Sequence, residues 1–192
     1  MERKLFYGGM VVSGAGARRA DVLTEGVKIV AVGENLTAEH ARRVDVSGKY
    51  LFPGFVDAHT HMDLEVSGTV TADGFDSGTK AEISGGTTCI IDFATQNRGE
   101  SLEYALERWH KKADGKASCD YAFHLALSDW NEKVSRELDQ AVKGGVRSFK
   151  LYTAYESMAV DDQAIYEILS RLKEAGGIAG IHCENKGNID SR

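Results

Sequence analysis

The segment Phe52-Pro53-Gly54-Phe55-Val56-Asp57-Ala58-His59-Thr60-His61 leaves a Pro-Gly turn, runs as a strand and closes on two histidines two positions apart. In a strand, residues i and i+2 share a face, so both imidazoles point the same way. Two neutral imidazoles side by side, with Asp57 and Asp63 close in sequence, make the start of a divalent metal site. An HxH pair alone is a weak sign, because one buried and one exposed histidine have the same spacing. Its meaning depends on what surrounds it.

Downstream, strand-like runs at residues 54–59, 87–94, 121–127, 146–152 and 178–182 alternate with helical periodicity. Three helices have legible starts. Asp161 or Asp162 caps one whose Ile165, Ile168, Leu169 and Leu172 form an apolar face before Gly176-Gly177 stops it. Asn131 or Asp129 opens another through Val134, Leu138, Ala141 and Val142 to Gly144-Gly145, and Ser101 starts a third through Leu102, Ala105, Leu106 and Trp109. Strands alternating with helices predict repeated βα units and a parallel sheet, doubly wound or closed as a barrel.

Lys150 lies in the run Val146-Arg147-Ser148-Phe149-Lys150-Leu151-Tyr152, where an amine in a buried strand is costly unless paired or neutralised. A lysine that snorkels to solvent is the bland alternative. His182 ends the last strand, and a histidine satisfied by a backbone carbonyl is its bland alternative. Taken together, His59, His61, Lys150 and His182 all fall at the carboxyl ends of predicted strands, which is the catalytic rim of a (β/α)8 barrel. The ligand placement therefore favours the barrel.

Upstream, residues 1–52 carry short apolar runs separated by Gly8-Gly9, Gly14-Ala15-Gly16 and Glu25-Gly26, which predict a small antiparallel β unit, part of a β-sandwich. The α/β barrel portion then occupies residues 53–192, with five βα units; against the eight of a complete (β/α)8 barrel, the resemblance described below makes it about five of eight. The 192 residues carry a net charge of −6 with dispersed basic residues, which excludes a nucleic-acid surface. No apolar stretch reaches the roughly 18 residues that cross a bilayer, and the start Met1-Glu2-Arg3-Lys4-Leu5 lacks a secretory apolar region. Cys89, Cys119 and Cys183 are odd in number and far apart, which suits reduced thiols in a cytoplasm.

The segments PGFVDAHTH, SFKLYTAY and IHCEN, in that order, resemble the cyclic-amide branch of the amidohydrolase superfamily, the dihydropyrimidinase and D-hydantoinase type above all. Gly68-Thr69-Val70-Thr71, Gly85-Gly86-Thr87-Thr88 with Ile90-Ile91-Asp92-Phe93, and the stretch from Asp120 to Leu125 agree with it. The resemblance implies that His59 and His61 bind the more buried of two divalent ions, zinc foremost with manganese or cobalt as alternatives. It implies that Lys150 is carboxylated to a carbamate bridging both ions, and that His182 binds the second. Tyr155, five residues past the lysine, takes the place of the tyrosine that hydrogen-bonds the carbonyl oxygen as it becomes an oxyanion. The implied substrate is a small cyclic amide, opened to an N-carbamoyl amino acid, and the implied assembly is a homotetramer.

The family site also takes a histidine from the sixth strand and an aspartate from the eighth. With Arg192 just after a fifth strand, the chain reads as the N-terminal part of a longer enzyme and as inactive by itself. Allantoinase and dihydroorotase share the metal scaffold and stand as alternatives. So do the collapsin response mediator proteins, which keep the barrel but lose metal ligands; the four retained candidate ligands argue against them. His124 is expected to be a hydrogen-bonded strand residue and His40 and His110 to be solvated. Cys183 is expected to face away from His182, and Asp92 and Asp129 receive no role.

Overall fold

The computed structural model describes residues 1–66 and 68–191. Its contacts divide into two compact units, Met1–Gly54 and Phe55–Arg192.

The first unit holds seven strands: β1 (Arg3–Tyr7), β2 (Met10–Ser13), β3 (Gly16–Arg19), β4 (Asp21–Glu25), β5 (Lys28–Gly33), β6 (Arg42–Asp45) and β7 (Tyr50–Leu51). They form a four-stranded sheet ordered β5-β4-β1-β6 and a three-stranded sheet ordered β3-β2-β7. The hairpins are antiparallel as expected, and each sheet adds one parallel pair, β1 with β6 and β2 with β7. Leu5, Val22 and Leu23 form its buried centre. The strands β3 and β6, with sequences GARR and RRVD, show no apolar run because both are largely exposed.

The second unit contains β8 (Phe55–Thr60), β9 (Glu65–Val66), β10 (Thr69–Val70), α1 (Phe75–Gly85), β11 (Thr87–Thr95), α2 (Leu102–Ala113), β12 (Asp120–Ala126), α3 (Glu132–Lys143), β13 (Ser148–Tyr152), α4 (Asp162–Ala175), β14 (Ile178–His182) and α5 (Lys186–Asp190). The five long strands pair in chain order, β8-β11-β12-β13-β14, and every pair is parallel. A doubly wound sheet reverses its strand order at a switch point. This sheet never does, and it curls as a partial barrel.

The helices start where their side chains can take up orphan N–H groups. Ser101 accepts from Tyr104 N at 3.1 Å, Asn131 from Lys133 N and Val134 N at 3.0 and 3.1 Å, and Asp161 from Ala164 N at 2.8 Å. Gly86 and Gly176 close α1 and α4 at φ 98° and 78°, a left-handed backbone that glycine adopts without strain. No helix among the described residues is long and apolar enough to cross a membrane.

Strand alternation then separates two faces. In β13, Phe149 and Leu151 are buried, and with Ile90 and Leu125 they meet Leu102, Trp109, Leu138, Ile168 and Leu172 from the helices. Ser148, Lys150 and Tyr152 take the opposite, less buried face. The apolar core therefore lies between sheet and helices, while the polar residues of the strand ends line the concave side.

Candidate functional site

β8 delivers the histidine pair through an irregular register. Ile90 pairs with Asp57 and Asp92 with Thr60, so three steps along β8 match two along β11. Such a bulge re-aims side chains at a strand end. The Asp57 carboxylate occupies the bulge by accepting from His59 N at 3.0 Å. His59 Nε2 and His61 Nε2 then face each other at 3.2 Å, close to the roughly 3.3 Å between two ligands of a tetrahedral ion with bonds of about 2.0–2.1 Å.

The Phe93 ring forms the floor beneath them. Its centroid lies 4.7 Å from His59, 4.9 Å from His61 and 4.7 Å from His124, and Lys150 Nζ sits 5.8 Å above it. Lys150 Nζ is also 5.2 Å from the Tyr152 ring, and Tyr152 stacks on His182 at 5.7 Å. The candidate residues thus follow one another across the concave face from β8 to β14. Lys150 is half-buried rather than enclosed, because its strand alternates and its face of the sheet is open. Among the described residues no carboxylate pairs with it.

His182 and Tyr155 meet at the far end. Tyr155 OH lies 3.5 Å from His182 Nε2, and that nitrogen contacts Glu184 Oε2 at 2.9 Å. Glu184 is held below the usual carboxylate range by the Tyr155 hydroxyl and, next, by His182, and the Tyr155 phenol is correspondingly raised by Glu184. Tyr155 has a left-handed backbone at φ 70°, uncommon for a bulky residue.

At 3.2 Å the two Nε2 atoms are within hydrogen-bond reach of each other and are also spaced to share a cation. Burial pushes His61 below the ordinary imidazole range; Asp92 opposes this, and His59 and Lys150 push the same way. A neutral imidazole is the ligating form. His61 Nδ1 is buried without a hydrogen-bond partner. Among the described residues, however, no three His, Cys, Asp or Glu side chains converge as a complete metal cage. A cation on the two imidazoles would need ligands beyond this pair.

Asp57 and Asp63, read from sequence as acidic neighbours of the site, are engaged elsewhere. Asp57 holds the bulge, and Asp63 Oδ2 accepts from Phe75 N at 3.0 Å, capping α1 from twelve residues upstream. Gly74 lacks the Cβ that would stand 2.7 Å from Asp63 Oδ1. His124 is hydrogen-bonded as expected, through Nδ1 to Ser148 Oγ at 2.6 Å and Nε2 to Ala58 O at 2.9 Å.

Sequence reasoning missed Asp92. Its carboxylate is buried and meets donors from Thr60, Met62, Phe93 and Trp109. The signal was a charged residue inside the apolar run Thr87-Thr88-Cys89-Ile90-Ile91-Asp92-Phe93-Ala94, which must find partners to be buried. Glu184, inside the segment IHCEN, also went unassigned.

A cleft of about 720 Å³ lies between α2, α3 and the starts of β12, β13 and β14, and of the residues around the Phe93 ring only His124 is in its lining. Its lining includes Tyr121, Gly145, Ser148 and Ile178 at the amino ends of the strands. In barrels of this kind chemistry sits at the carboxyl ends of the strands, and the histidine pair lies at that end.

A model of the amidohydrolase family matches residues 50–191. The chain is 43% identical over 189 residues to a D-hydantoinase of Geobacillus stearothermophilus, covering 97% of this chain and 40% of that protein. It is 46% identical over 184 residues to a dihydropyrimidinase of Dictyostelium discoideum, covering 94% and 37%. The crystal structure of a dihydropyrimidinase from Brevibacillus agri superposes with a TM-score of 0.95 at 44% identity, over 98% of this chain and 41% of that one. The chain spans about two fifths of the length of these relatives.

Proposed function

We propose, from the premise that this chain belongs to the amidohydrolase family, that it supplies the first part of the active site of a metal-dependent cyclic amidase. The observation that carries this reading is the convergence of His59 and His61 Nε2 at 3.2 Å beside Lys150 at the strand ends. In this reading residues 1–52 belong to a β-sandwich domain and residues 53–192 are the first five βα units of the barrel.

His59 and His61 would hold one divalent ion and His182 a second, with zinc first among zinc, manganese and cobalt. Lys150 would serve both as a carbamate: its neutral amine bonds to the carbon of carbon dioxide and loses one proton. Bound there, two such ions would acidify a water and polarise a carbonyl. Tyr155 would donate its hydroxyl proton in a hydrogen bond to the carbonyl oxygen as charge builds on it. The substrate is a hydantoin or dihydropyrimidine ring. Water's oxygen joins the ring carbonyl carbon, the carbon–nitrogen bond breaks and the nitrogen takes a proton, leaving an N-carbamoyl amino acid. The whole protein is a homotetramer in this reading, on the strength of the resemblance alone, and cytoplasmic, on the strength of its three unpaired cysteines.

The test is ring opening of hydantoin and dihydrouracil, followed by appearance of the N-carbamoyl product. The whole protein should act only with metal, lose activity in Lys150→Arg, and fall by about 10²–10³ in kcat in Tyr155→Phe, as when one oxyanion donor is removed. Residues 1–192 alone should turn over neither substrate. Undiminished turnover in Lys150→Arg would contradict the reading.

A further inference from the structure

The buried carboxylate of Asp92 has no part in the chemistry above, yet it accepts four hydrogen bonds. Oδ2 accepts from Thr60 Oγ1 at 2.9 Å and Met62 N at 2.8 Å. Oδ1 accepts from Trp109 Nε1 at 3.0 Å and Phe93 N at 2.7 Å. Thr60 and Met62 are the residues on either side of His61. A single oxygen therefore grips the chain immediately before and after a candidate ligand, while the other is anchored to α2 through Trp109.

We propose that Asp92 is a positioning residue for the metal-binding imidazoles, fixing the backbone around His61 and so setting the 3.2 Å separation of the two Nε2 atoms. The inference rests on the reading that His59 and His61 hold a metal ion. Three physical points carry it. The β8 register slips just before this position, so ladder pairing alone does not hold His61, which lies past the end of the strand. The segment from 60 to 62 instead takes its restraint from the carboxylate. A carboxylate is also the group that suits four donors, since it has two acceptor oxygens with about four lone-pair sites and no proton to misplace. An asparagine of the same shape presents one oxygen and one NH2, so two of the four donors would face a donor. Finally, burial next to Trp109 excludes water that could substitute for it. Partners that orient metal-binding histidines typically change metal affinity 10–100-fold when lost.

The experiment compares Asp92→Asn, the milder Thr60→Val and Trp109→Phe in the intact protein. Thr60→Val removes one donor on the histidine side; Trp109→Phe removes one on the helix side. Zinc affinity is measured by competition with a chromophoric chelator, and the His59–His61 Nε2 separation is read from crystals of metal-free protein. Asp92→Asn should bind zinc 10–100-fold more weakly and show a displaced histidine pair, and Thr60→Val should move both readouts the same way by less. Trp109→Phe should lower the Tm while keeping the parent's zinc affinity. Zinc weakening that simply tracks the loss of Tm across all three would make Asp92 merely structural and overturn the proposal. So would an unmoved histidine pair in Asp92→Asn. If the parent protein binds no zinc, the metal reading fails, and the metal-free separation still decides the positioning role of Asp92.

Discussion

Arg98 Nη2 donates to the Ala159 carbonyl at 2.7 Å and also reaches Glu156 O at 3.2 Å, so the loop after β11 clasps the loop that carries Tyr155. Inside that loop, Tyr155 O accepts from Met158 N and Ala159 N at 2.9 and 2.8 Å. The clasp is exposed, and a charge-assisted hydrogen bond there is discounted to about 1 kcal/mol. Arg98→Ala should raise amide exchange at Met158 and Ala159 roughly fivefold, with global stability nearly unchanged. Hydrogen exchange measured residue by residue checks this; unchanged rates would show that the Tyr155 loop holds itself.

Gln96 joins two of the strand-end loops from inside. Its Oε1 accepts from Ser128 N and Asp129 N at 3.1 and 3.2 Å, its Nε2 donates to Glu100 O at 2.9 Å, and its own carbonyl accepts from Ser128 Oγ at 2.6 Å. Replacing it with leucine preserves bulk but strands the buried Ser128 N–H, at about 1–3 kcal/mol, and the part-buried Asp129 N–H, at less. Gln96→Leu should therefore cost more in urea unfolding than an exposed glutamine change, which is usually within about 0.5 kcal/mol.

Asn131→Ala removes the acceptor of two first-turn N–H groups of α3 and should destabilise by about 1 kcal/mol. Asn131→Asp should keep the cap and the stability. Equal losses in the two variants would mean that the cap contributes nothing.

The carbamate proposed on Lys150 predicts a mass excess of one carbon dioxide in native mass spectra. Lys150→Arg should lack it, because a guanidinium does not offer a neutral amine at neutral pH. An identical excess in both proteins would place any bound carbon dioxide elsewhere.

Much of this architecture is legible in local sequence. Ser101, Asn131 and Asp161 signal their helices because a cap and an apolar stripe lie within a few residues of one another. The β13 alternation sends Lys150 to the concave face for the same local reason. What escapes reading is long-range. The start of α1 has no side-chain cap of its own at Gly74 and borrows Asp63, and only Phe75, Gly78 and Thr79 of that helix are buried, too few for a visible stripe. For Asp92 the apolar run shows a buried charge but not what satisfies it, because its partners Thr60 and Trp109 come from 32 residues before and 17 residues after it. The acidic residues nearest the histidine pair in sequence, Asp57 and Asp63, accept from backbone N–H groups, a role that proximity along the chain does not reveal.

The central claim is that His59 and His61 form a metal-binding pair, and equilibrium dialysis against zinc tests it most directly. The account predicts stoichiometric zinc on the parent protein and its loss in the folded double variant His59→Ala/His61→Ala. Equal zinc uptake by the two proteins, or none by either, would contradict it.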